Sequence, residues 1–195
     1  MPLFIVRFMQ DPLANGIAVF VLLALLAGIV RALADYYRAQ PPKQAWSPWW
    51  LAALAVAGMG VSAYMFFVEA THTEAICGPL GNCNTVQQSP YATLLGFLPV
   101  GLFGLFGYAG VLAAWAMQFF GPVRWRLPAA FTLWGMLLFG NLFSAYLTFL
   151  EPFVIGATCV WCITSALLML AALWLDTPLM LGTWEPWEAW EADEE

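Results

Sequence analysis

Five long apolar runs constrain this chain more than any other feature. About 20 apolar residues span the hydrocarbon of a bilayer, and in lipid every backbone N–H and C=O must be paired within the protein. The runs fall at about 13–33, 48–69, 92–120, 128–151 and 159–176. They are apolar on every face, unlike the one-sided helices of a water-soluble core. Only 9% of the residues are charged and 63% are hydrophobic, against about 25% charged in soluble domains. The expectation is an all-α integral membrane protein. The third run carries Pro99 and several glycines, which predicts a kink or a close helix contact there.

Six cations set the orientation. Arg31, Arg38 and Lys43 lie between the first and second runs, Arg124 and Arg126 between the third and fourth, and only Arg7 falls on the other side. Cytoplasmic loops carry the excess of Lys and Arg. The N-terminus, the 70–91 loop and the 152–158 turn are therefore expected outside, and the acidic C-terminal tail inside. A cleaved signal peptide is the rival reading, because "RALA" ends in an Ala-x-Ala-like triplet after the first run. The cations follow that run rather than precede it, which favours a retained anchor helix.

This topology puts all four cysteines at the outer face, in a compartment where disulfides persist. "CGPLGNC" supplies Cys77 and Cys83, and "CVWC" supplies Cys159 and Cys162 at the start of the last run. A plain stabilising disulfide would account for the loop pair. A four-thiolate zinc site fits poorly, since structural zinc knuckles use shorter spacings on both sides. The Cys-x-x-Cys pair points to exchange chemistry. A thiol at a helix N-terminus faces unpaired N–H groups that favour the thiolate, and residues three apart share a helix face. Cys162 lies deeper than Cys159, within reach of a lipid-soluble carrier, whereas soluble proteins reach only the loop pair. The layout is that of a two-stage relay ending on a two-electron acceptor, which a quinone satisfies.

At these residues the sequence resembles bacterial homologues of vitamin K epoxide reductase. The matching stretches are "CGPLGNCNTVQQSPYATLLGFLPVGLFGLFGY" at 77–108 and "FLEPFVIGATCVWCITSALL" at 149–168. The related DsbB-type oxidases carry the two thiol motifs in the opposite order. The resemblance implies a four-helix transmembrane bundle over 48–176, preceded by an extra N-terminal helix and linker (1–47) and followed by an acidic Trp-rich tail (177–195). It implies that Cys162 meets the quinone, that Cys159 is its resolving partner and exchanges with Cys83, and that Cys77 meets the partner protein. Ser89 matches a family position near the site, with a helix-capping hydroxyl as the alternative. Polar positions associated with vitamin K recognition appear here as Ala166 and Ala92, which favours a respiratory quinone (menaquinone or ubiquinone) over an epoxide.

The resulting expectation is a multi-pass protein of a bacterial inner membrane that oxidises thiols on the periplasmic or extracellular side. Its partner would be a separate thioredoxin-fold (DsbA-like) protein, because the 19 residues after 176 contain no thioredoxin-like domain or cysteine. No metal is expected. The competing class is a non-catalytic membrane scaffold with two static disulfides. Transport is disfavoured because no ionisable residue falls centrally in a run. Asn141 could bond a quinone carbonyl or, equally, another helix. His72, Glu69 and Glu151 read as solvated boundary residues. Trp46, Trp49, Trp50 and Trp125 read as an inner aromatic belt, and Trp184, Trp187 and Trp190 as an interfacial stripe of the tail.

Overall fold

The computed structural model describes residues 3–38, 47–78, 81–94 and 96–192, with side chains as far as Thr183. Its helices are α1 (Leu3–Phe8), α2 (Pro12–Arg38), α3 (Trp49–Thr71), α4 (Cys83–Gln87), α5 (Val100–Phe120), α6 (Val123–Leu150) and α7 (Val160–Ala192). Five of them, α2, α3, α5, α6 extended to Ile155, and α7 as far as Thr183, are long and apolar enough to cross a membrane. The chain is an all-α multi-pass membrane protein. α3, α5, α6 and α7 form a four-helix bundle, and α2 lies against α6 and α7.

Local chemistry sets the helix ends. Asp11 accepts the Ala14 N–H at 3.1 Å ahead of Pro12, a favourable first-turn proline. α3 closes on His72, which is left-handed (φ 53°) and exposed. α5 follows Pro99 and has no cap from its own segment. Instead Glu69, reaching across from α3, accepts the Gly101 N–H at 3.0 and 3.3 Å, placing an anion where the helix dipole favours one.

The bundle core is built from Leu51, Tyr108, Leu133, Leu137 and Leu173. Gly58 leaves room for the Tyr108 ring, which a Cβ there would strike. Large apolar side chains such as Phe20, Val30, Phe67, Phe106 and Phe139 face outward, as lipid-facing positions require. At the end opposite the cysteines Tyr36 stacks on Trp134 at 5.2 Å and Trp49 meets Phe120 at 6.1 Å. Trp49, Trp50 and Trp125 are exposed at this end. Lys43 and Trp46 lie outside the described residues, as do the side chains of Trp184, Trp187 and Trp190.

Three expectations change. The third spanning helix does not begin at 92: Pro90–Ala92 form a 3₁₀ turn, Thr93–Leu94 pairs antiparallel with Leu98–Pro99, and Gly96 is left-handed (φ 78°). α6 does not stop at 151 but passes into a π turn, Glu151–Ile155, that ends on left-handed Gly156 (φ 86°). α7 continues well past 176, so Asp176 sits inside a spanning helix, fully buried, with no hydrogen-bond partner on either carboxylate oxygen. Asp176 thus lies within the Val160–Thr183 span, on the C-terminal side of its centre, and not at a helix end.

Candidate active site at the cysteine end

Between α3 and α4 the chain crosses the end of the bundle on a series of side-chain supports. Ala75 N–H donates to Asn84 Oδ1 at 2.7 Å and Ile76 N–H to Tyr64 Oη at 2.8 Å. The Trp161 indole N–H, from α7, donates to Ile76 O at 3.0 Å. Tyr64 and Trp161 rings pack 4.6 Å apart beneath it. Cys77 follows this anchored segment and forms a disulfide with Cys83, their Cα atoms 5.9 Å apart. Asn82 caps α4 by accepting the Thr85 N–H at 3.2 Å, which fixes Cys83 as the first helical residue.

The loop pair is seated on the backbone just ahead of the Cys-x-x-Cys. Asn82 N–H donates to Thr158 O at 3.0 Å. Gly81 is left-handed (φ 83°), and a Cβ there would run into the same Thr158 carbonyl. This position therefore requires glycine for both conformation and space. Cys83 and Cys159, both fully buried, share one apolar cluster with Met65, Val68 and Val86, and Cys77 and Cys162 pack at its edge.

Cys159 and Cys162 are free thiols. The Cys162 N–H donates to Cys159 Sγ at 3.4 Å. A hydrogen bond from the Cys162 side chain, helped by the backbone N–H groups of Cys162 and Trp161, holds the Cys159 thiol below its ordinary value against the opposing effect of burial. Unpaired N–H groups at a helix start act this way on any thiolate.

Two carboxylates depart from their expected role as solvated boundary residues. Glu151 is 2% exposed and accepts the Cys159 N–H at 3.3 Å. The π turn is what rotates it inward, since Gly156 and Ala157 N–H both close on the Glu151 carbonyl, at 2.7 and 3.2 Å. Glu69 is half-buried against Gly101. Their position at helix ends gave their depth but not the face on which they lie.

A cavity of about 370 Å³ opens between α3, α5, α6 and α7. Its wall is almost entirely apolar, with Glu69, Gln87, Tyr108, Cys162 and Ser165 among the few polar groups. Tyr108 Oη lies 3.0 Å from Ser165 O, to which it donates. A second, much smaller cavity of about 30 Å³ is lined by Glu69, Gln87, Ser89, Tyr91, Glu151 and Cys162. Cys162 thus stands in both walls.

The weaker site candidates are placed differently. Ser89 Oγ donates to Val86 O at 2.6 Å and caps no helix; it lines the small cavity and not the large one. Asn141 donates to Leu137 O at 2.8 Å and, across to α7, to Met169 O at 3.0 Å; it is fully buried and lines neither cavity. Ala166 packs on α2 with Ala18 and Val21, while Ala92 lines the small cavity. Among the described residues, no group of three or more His, Cys, Asp or Glu side chains is arranged to hold a metal.

Gln87 and Asn15 escaped the sequence reading. Gln87 Oε1 is buried without a partner beside both cavities. A lone Asn opening an apolar run is a recognisable signal, since lipid offers its amide nothing. Asn15 bonds the 156–158 segment from α2. Residues 49–177 match the model of the Vitamin K epoxide reductase family, and Asn15 lies outside that match.

Proposed function

This chain belongs to the Vitamin K epoxide reductase family, and from that premise we propose that it is a membrane thiol:quinone oxidoreductase supporting disulfide bond formation. Electrons enter from a separate thioredoxin-fold oxidase at the periplasmic or extracellular face of a bacterial inner membrane. They pass through Cys77 and Cys83, then through Cys159 and Cys162, to a membrane quinone. The observation that carries this reading is the placement of both cysteine pairs in and at the edge of one buried cluster, with Cys162 in the wall of an apolar cavity.

Each residue then has a step. Cys77, the outer half-buried thiol of the loop pair, exchanges with the reduced partner. Cys83, held against Cys159 by the Gly81–Asn82 contact with Thr158, passes the electrons inward by thiolate attack on the Cys159–Cys162 disulfide. Cys77 then attacks Cys83 of the resulting Cys83–Cys159 bond, which re-forms the loop disulfide and releases Cys159, favoured as a thiolate, beside Cys162; the Cys159–Cys162 bond would close again as two electrons pass to the quinone. The cavity volume falls in the range of small-molecule sites and its lining is mostly apolar, which suits a quinone ring. The quinone supplies a two-electron sink that no side chain offers.

The alternative, a scaffold with two static disulfides, is disfavoured by the packing of both pairs against one another with Cys162 open to an apolar cavity. The deciding experiment is quinone reduction by purified protein supplied with a reduced thioredoxin-fold oxidase. Wild type should turn over and Cys162→Ala should not. Absence of turnover in wild type across several quinones and partners would instead support the scaffold.

A further inference from the structure

Among the described residues, Glu151 is the carboxylate hydrogen-bonded to the inner cysteine pair. Its Oε2 accepts the Cys159 N–H at 3.3 Å, it shares the wall of the small cavity with Cys162, and it is 2% exposed. A buried charge is ordinarily paired with an opposite one, because desolvation is costly. Here the titratable groups facing it are Cys159, just ahead of α7, Cys162 from α7 and, across the small cavity, Glu69 from α3 and Tyr91 from the 3₁₀ turn; α1 packs on the same turn with Arg7 beside Gly156, and no Lys, Arg or His lines that cavity. Glu69 is committed elsewhere, to the N-terminus of α5. An intramembrane carboxyl bonded to the backbone of one redox thiol and sharing a cavity with the other is placed for proton transfer rather than for packing.

We propose that Glu151 holds a proton while the Cys159–Cys162 disulfide is closed, and gives it to the Cys162 sulfur when that bond is reduced. In the step, two electrons and one proton from water enter. The S–S bond breaks, Cys159 takes the water-derived proton, Cys162 takes the Glu151 proton, and the carboxylate remains. Cys159–S–S–Cys162 and Glu151 carboxylic acid thus become two thiols and one carboxylate. When the pair is reoxidised, Cys162 returns its proton to Glu151. Glu151 and Cys162, side by side in the wall of the small cavity, are the two ends of this transfer. The inference rests on the reading of Cys159 and Cys162 as the redox pair, and not on the identity of the final acceptor.

The test is the pH dependence of the Cys159–Cys162 reduction potential in the full chain, equilibrated with dithiothreitol redox buffers from about pH 6 up to the onset of Cys159 titration, which lies below the ordinary thiol value and is followed in parallel by alkylation. Wild type should take up one proton per two electrons. Glu151→Gln, which has no proton to give, should take up two, and Glu151→Asp should return to one. Redox-difference infrared spectra provide a second readout: a protonated-carboxyl band present in the disulfide state and lost on reduction, absent from Glu151→Gln. Two protons per two electrons in wild type, or a wild-type slope in Glu151→Gln, would overturn the assignment. No quinone is present in this measurement, so a failure to reduce quinone tells against the acceptor alone.

Discussion

Asn15 and Thr158, 143 residues apart, share a buried hydrogen bond: Thr158 Oγ1 donates to Asn15 Oδ1 at 2.9 Å. The same amide donates to Gly156 O at 3.4 Å and Phe8 O at 3.0 Å. Phe8 stacks on Phe153 at 6.3 Å, so α1 and the start of α2 close over the segment leading into Cys159. Thr158 is thereby gripped twice, by Asn15 on its side chain and by Asn82 on its carbonyl. The helix added to the family bundle supports the backbone on which the two cysteine pairs meet.

Asn15→Ala should therefore loosen the Cys-x-x-Cys segment from outside the bundle. Leaving a buried donor and acceptor unmatched costs about 1–3 kcal/mol. The expected outcome is a lower unfolding midpoint in detergent, together with faster alkylation of Cys159, which is otherwise fully buried. An unchanged Cys159 alkylation rate would mean that the α2 contact does not hold this segment.

Gly81→Ala should separate the two cysteine pairs without touching either. The new Cβ would strike the Thr158 carbonyl, and the left-handed backbone opposes any L side chain. Reduction of Cys77–Cys83 by a thioredoxin-fold partner should persist, while the Cys83–Cys159 mixed disulfide, trapped in a Cys77→Ala, Cys162→Ala background, should be lost on gels. Full trapping would show that Cys83 reaches Cys159 by another route.

Much of this arrangement was legible in the sequence, and the parts that were not share a cause. The spans follow from unbroken apolar runs, and the cysteine pairs from their spacing. Hydropathy gives a residue's depth along the bilayer but not the direction in which it points. Glu69 and Glu151 sit at helix ends and yet turn inward, one to cap α5 and the other through a π turn that Pro152 and Gly156 shape. The run beginning at Ala92 read as helix because it is apolar. The Thr93–Pro99 hairpin and left-handed Gly96 break it, and an apolar run alone does not distinguish a short hairpin from a helix. Asp176 was placed at a helix end that lies 16 residues further on, at Ala192.

The Cys159 thiol should respond to its neighbour. Its titration lies below the ordinary value chiefly through the Cys162 side chain, with desolvation opposing and backbone N–H groups assisting. Cys162→Ala removes the first contribution and leaves the Cys162 N–H in place, so the Cys159 titration should move up. At neutral pH less thiolate is then present, and alkylation of Cys159 should slow, with its pH profile displaced toward higher pH. A profile that moves down would assign the depression to something other than Cys162.

The large cavity can be filled from a position that tolerates it. Gly107 lines it from α5, and a Cβ there meets nothing within 4 Å. Gly107→Phe should place a ring in the cavity while leaving the cysteine end undisturbed. If the quinone binds there, its apparent affinity should fall by about tenfold or more, the equivalent of about 1.4 kcal/mol, with Cys83-to-Cys159 exchange at the wild-type rate. Steady-state kinetics against quinone concentration, paired with mixed-disulfide trapping, separates the two effects. Wild-type quinone affinity in this variant would exclude the cavity as the acceptor site and leave the smaller space beside Glu151 and Cys162 as the place where electrons leave the protein.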